Sequence, residues 1–251
     1  MDDLIFVGPV DLEAELDSLA KRYKSAGGLG MDILNLVGSQ ADGLIDGLPK
    51  PVAERLNEVT RLALIQAMNA ASVSRKAVPD QAGWLNRTVS AAMGAAGGFG
   101  GLPTALAELP VTTTLLLRVI EGVAVQNRFD PTAESVRFDC VQVFASAGPL
   151  SHDDGADIAF LSARLGMSGL AMNTLVARVA PKLATVLGQK LGAQAIPILG
   201  AAAGAATNYA YTKYYEEMAH VQFGLRRLAI DADRDPQALI EDFTTRLDRL
   251  R

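Results

Sequence analysis

The 251-residue chain carries a formal net charge of −5, with 49% apolar and only 20% charged residues. Its 40 alanines and 33 leucines are the two strongest helix formers by intrinsic propensity. The hydrophobicity excludes disorder, and the scarcity of β-branched and aromatic residues argues against an all-β fold.

The single cysteine, Cys140, excludes an intramolecular disulfide and any Cys-based zinc cluster. The acidic start Met1-Asp2-Asp3 precedes only a short apolar run, Leu4 to Val7. A secretory signal needs a basic start and a longer apolar core, so the expected location is the cytoplasm. Negative charge without a basic block argues against a nucleic-acid partner.

Nearly every segment reads as helix. Leu12, Leu16, Leu19 and Tyr23 share one helical face, and Gly27-Gly28-Leu29-Gly30 is expected to stop that helix. A second helix is expected from about Met31 to Ile45. A third opens at Pro51, whose missing N–H costs nothing there, and runs to about Arg75. Pro79-Asp80 starts the next. Asp130-Pro131 and Asp235-Pro236 each put an N-cap acceptor before a first-turn proline. Leu239, Phe243, Leu247 and Leu250 then form the apolar face of a terminal helix. The turn at Gly148-Pro149, followed by Ser151 to Gly155, predicts an exposed loop but no domain boundary.

Two stretches stand apart. Residues 91–117 hold one charge, Glu108, and residues 191–212 hold none. Both are rich in Ala and Gly and share a Gly/Ala run followed by threonines, a faint repeat that low complexity also explains. Glycine in a helix interior costs about 1 kcal/mol relative to alanine. Gly97, Gly98, Gly100 and Gly101 therefore imply either a break before Pro103 or close approach of a neighbouring helix. Gly188-x-x-x-Gly192 and Gly200-x-x-x-Gly204 have the spacing for such approach. The 191–212 stretch is long enough to span a bilayer, yet poor in Leu and Ile and interrupted by Gln194, Pro197 and Asn208. A buried central helix is the favoured reading. A hairpin touching the membrane interface, or a cavity accepting an acyl chain, stays open.

No strong catalytic motif occurs: no GxGxxG after a strand, GxxxxGK[ST], HExxH, CxxC or GxSxG. No cofactor is expected. The two histidines are weak metal candidates. His152 sits in an acidic loop with Asp153 and Asp154. Glu217-x-x-His220 has the spacing of half a di-iron site, but no second such pair exists. Glu108 is the more informative acid. A carboxylate on an apolar helix needs a partner, and Arg118, Arg137, Arg226 and Arg227 are the candidates. Pro110 frees the carbonyl of Leu106. Cys140 reads as a small core hydrophobe. Tyr209, Tyr211, Tyr214 and Tyr215 with Lys213 suit either an interfacial belt or the rim of a core.

Gly97-Gly98-Phe99-Gly100-Gly101, then Ala107 to Thr113 with its Glu-Leu-Pro, then Arg118-Val119-Ile120, resembles the central signature of the EcsC family. The segments Arg137 to Phe144, Ile196 to Gly200, Asn208-Tyr209 and Ala219 to Leu228 continue the likeness, over roughly residues 85–230. The family's Gly-Glu-Asp turn reads Asn127-Arg128-Phe129-Asp130 here, so only Asp130 matches. The resemblance implies a helical protein of uncertain biochemical function, linked to an ABC transporter, and supplies no catalytic residues.

The expectation is one all-α domain of nine to eleven helices. The Gly/Ala stretches form its centre, a long helix spans about 198–230, and the N-terminal helices pack on the family-like region. The leading function is non-enzymatic: a membrane-surface accessory at the inner face of the membrane that takes lipid or another apolar ligand, with a membrane transporter as possible partner. Glu108, Gly97, Gly98, Gly101, Asn208 and Tyr211 are the ligand-binding candidates. The rivals are a hydrolase or metal-dependent enzyme using His152, Asp153, Asp154, Glu217 or His220, and a purely structural interaction module.

Overall fold

The computed structural model describes residues 11–37, 48–77, 83–99, 101–146, 161, 172–194 and 200–250. Among these residues there are eight helices and no strand: α1 (Leu12–Val37), α2 (Lys50–Ala77), α3 (Gly83–Phe99), α4 (Gly101–Gln126), α5 (Glu134–Val143), α6 (Met172–Gln194), α7 (Gly200–Asp231) and α8 (Pro236–Arg249). The long helix sits at the centre. α7 packs most extensively along α3 and α1, touches α4, α5, α6 and α8, and α2 lies on α4 and α6. Its apolar residues on several sides (Tyr211, Tyr214, Tyr215, Met218, Val221, Phe223, Leu225, Leu228) are all buried. A helix apolar around most of its circumference is stable only when other helices surround it.

The glycine block behaves as a break: α3 ends at Phe99 and α4 begins at Gly101. Close helix approach occurs too, one turn earlier. A Cβ on Gly94 would overlap the carbonyl oxygen of Gly204 and fall 2.8 Å from the Asn208 Cβ. Gly204 of the predicted Gly-x-x-x-Gly pair is therefore a crossing point of α3 and α7, and Gly94, not singled out by spacing, is its partner.

Three local expectations are corrected. α1 does not stop at Gly27-Gly28-Leu29-Gly30 but runs through to Val37. No neighbour lies within 4 Å of a Cβ placed on Gly27 or Gly28, so packing does not demand them. The preceding turns, held by buried Leu16, Leu19, Ala20 and Ala26, carry the helix past a propensity cost of about 1 kcal/mol per glycine. At the other site, Asp130 does not cap a helix. Its Oδ1 accepts from the Thr132 N–H at 2.9 Å and the Thr132 hydroxyl at 2.7 Å, which is an Asx turn, and α5 starts later with Ala133 as N-cap. Leu250 falls beyond α8 and is 44% exposed, while Leu239, Phe243 and Leu247 are buried as expected. Asp235 does cap α8, accepting from the Ala238 N–H at 2.9 Å.

The uncharged 191–212 stretch is not one helix: α6 ends at Gln194 and α7 begins at Gly200. Among the described residues no helix is long and apolar enough to cross a membrane. The tyrosines are mostly core: Tyr211, Tyr214 and Tyr215 are buried, and only Tyr209 is exposed.

Candidate functional site

Among the described residues two places stand out, toward opposite ends of α7. The first is a sealed cluster where α3, α4, α6 and α7 meet. Glu108 Oε1 accepts from Lys190 Nζ at 3.1 Å, from the Thr112 hydroxyl at 2.9 Å and from Asn208 Nδ2 at 2.8 Å. Lys190 Nζ also donates to Thr112 Oγ1 at 3.0 Å. Asn208 Nδ2 donates to the Ser90 carbonyl at 2.9 Å, and the Thr212 hydroxyl donates to Ser90 Oγ at 2.7 Å. The Lys190 side chain is 0% exposed and that of Glu108 is 8% exposed. Burial pushes the Lys190 ammonium below its ordinary value, and the Glu108 charge opposes that shift.

Local sequence explains the placement. Pro110 lies inside α4 and cannot donate to the Leu106 carbonyl. The threonines that follow turn their hydroxyls back, Thr113 to the Leu109 carbonyl at 2.8 Å and Thr114 to the Pro110 carbonyl at 2.7 Å. The Gly94–Gly204 crossing sits one turn from Ser90 and Asn208. It brings the α3 and α7 backbones close enough for side chain to reach main chain.

The partner of Glu108 is thus Lys190, not an arginine. Lys190 stands one residue before the uncharged 191–212 stretch, and nothing in its local spacing marks it as the partner of Glu108. Arg226 instead donates to the fully buried Asp139 at 2.5 Å and lies 4.3 Å above the Phe129 ring. Arg227 pairs with Asp231 at 3.0 Å, one turn on. Arg137 borders a crevice with Met68, Glu121 and Cys140 that is too narrow for a water. Arg118 is half-buried on α4.

Tyr211 is buried near the cluster, its hydroxyl donating to the Val186 carbonyl at 3.1 Å, and burial pushes its ionisation up. Gly97 and Gly98 fall in the last turn of α3, and Gly101 opens α4. Glu217 accepts from Arg22 at 2.8 Å, which commits its carboxylate to α1. Burial, reinforced by the Arg22 charge and opposed by Glu217, holds His220 below its ordinary value. Among the described residues no three His, Cys, Asp or Glu side chains converge as a metal site. His152, Asp153 and Asp154 lie outside the described residues.

The second place is a groove of about 800 Å³ between the C-terminal half of α7, α8 and Leu161. Gln222, Arg226, Ala229 and Ile230 form a stripe along α7 at helical spacing, Asp233 follows in the turn after it, and Ile240 lines the groove from α8. Ile230 is 64% exposed, unusual for a large apolar side chain. Gln222 is 5% exposed and lines the groove.

None of the six ligand-binding candidates lines this groove. Asn208 and Gln222 are 14 residues apart on one helix, about 21 Å at the α-helical rise. Glu108 Oε1, Lys190, Thr112 and Asn208 Nδ2 bond one another in this crossing, while Glu108 Oε2 and Asn208 Oδ1 are buried without a hydrogen-bond partner among the described residues.

A family model described as the EcsC protein family matches residues 48–228. The match takes in α2 and so begins well before residue 85. Comparison with curated proteins and with solved structures found no match.

Proposed function

The chain belongs to the EcsC protein family, and we propose that it is a non-enzymatic protein that holds an apolar ligand in the groove between α7 and α8, working as an accessory at the inner membrane surface. The observation that carries this reading is the groove itself. Its volume of about 800 Å³ lies within the 300–1,000 Å³ of small-molecule sites. Its walls include Leu161, Leu225, Ala229, Ile230 and Ile240, and Gln222 supplies a polar group. Mostly apolar lining with few polar groups is the usual composition of such sites.

The test is purification without detergent, then solvent extraction and native mass spectrometry, with vesicle flotation alongside. A co-purifying apolar compound, absent from the Ile230→Glu and Ala229→Arg variants, supports the reading. Protein that carries nothing, takes up no added fatty acid or lysolipid and does not float with vesicles rules it out.

A further inference from the structure

The C-terminus of α7 departs from the usual pattern in a way that bears on the groove. The Arg234 N–H donates to the Ala229 carbonyl at 2.9 Å and the Asp233 N–H to the Ile230 carbonyl at 3.3 Å. This is a Schellman stop, in which the residue at the left-handed position is most often glycine. Here it is Asp233, with φ 48°. An aspartate is also the wrong charge for a helix C-terminus, whose dipole end is negative. Asp233 and Arg234 both line the groove and so set opposite charges side by side at its mouth.

The two arginines of the groove differ in availability. Arg226 is committed to Asp139 and Phe129. Arg234 has only a 3.7 Å contact to Asp242, with both side chains about half exposed. Such a pair is worth little and yields readily to a better anion. The charged residues lining the groove are Arg226, Asp233 and Arg234, and with Arg226 neutralised by Asp139 one charge of each sign remains at the mouth. A purely anionic head would set its charge beside Asp233, and a purely cationic head would leave Arg234 without a better anion. A head with both charges matches the mouth.

We infer that the groove takes a single-chain zwitterionic amphiphile, its anionic group on Arg234, its cationic group on Asp233 and its chain along Ile230, Ala229 and Leu225. This rests on the apolar-ligand reading above and adds the class of head group.

The experiment measures binding of monomeric dodecylphosphocholine, dodecanoate, dodecyltrimethylammonium and dodecanol to the full chain by calorimetry, each below its micelle concentration. The phosphocholine is expected to bind about tenfold tighter than each of the others, the equivalent of about 1.4 kcal/mol. Asp233→Asn and Arg234→Gln should each erase that advantage and leave dodecanol unchanged. Asparagine tolerates the left-handed conformation, so Asp233→Asn keeps the turn, and an unchanged circular dichroism melt verifies it. Equal binding of all four, tightest binding of dodecanoate, or no effect of either variant overturns the head-group inference while the apolar-ligand reading stands. Uptake of none of the four overturns both.

Discussion

Lys190 and Glu108, 82 residues apart in sequence, meet with Nζ 3.1 Å from Oε1, both side chains almost wholly removed from solvent. Neither charge belongs to an amphipathic face. Each lies in an otherwise neutral segment, and each is tolerable only because the other is there, with Thr112 and Asn208 adding hydrogen bonds on the Oε1 side. Removing one partner leaves an uncompensated buried charge. Lys190→Met and Glu108→Gln should therefore each destabilise by about 3–5 kcal/mol. The double variant should cost clearly less than the sum. Urea denaturation of the four proteins measures the coupling, and additive losses would show that the pair is not coupled.

Helix crossing makes two glycines in the same fold respond in opposite directions. Gly94→Ala places a methyl group into the Gly204 backbone, with no flexible side chain to give way. Several kcal/mol of destabilisation or failure to fold is expected, since overpacking typically costs about 1–3 kcal/mol even where side chains can adjust. Gly122→Ala meets nothing within 4 Å on α4 and should raise stability by about 0.5–1 kcal/mol through helix propensity. Thermal melts of the two variants should move apart, and a downward shift for Gly122→Ala would contradict the helix assigned there.

Acid sensitivity should trace in part to His220. Its folded-state pKa lies below the ordinary 6.5 because it is buried beside Arg22. Between those two values the unfolded chain binds the proton more readily, so stability falls as pH drops below about 6.5. His220→Gln should flatten the stability profile over that window. A profile identical to that of the unmodified protein would mean that other groups govern it.

The start of α8 depends on one side chain. Asp235 accepts from the Ala238 N–H, and Asp235→Ala should cost about 1 kcal/mol. Amide exchange should quicken in Gln237, Ala238 and Leu239 before it does in α7. Uniform exchange across both helices would contradict a local cap.

Composition and periodicity were enough for the helical class, for α7 with bounds within two residues, for the Asp235 cap and for the burial of Cys140. These follow from features carried within a few residues of chain: propensity, apolar spacing and capping chemistry. The family signature was likewise legible as local sequence. Tertiary structure alone decided which charge answers Glu108, because a lysine in α6 and a glutamate in α4 become neighbours only when α3, α4, α6 and α7 cross. It also decided that Gly94 and Gly204 are a contact point, and that a groove opens beside Ile230 and Asp233. Pairing and voids depend on how helices are placed against one another, and neither is written in the spacing of residues along any single helix.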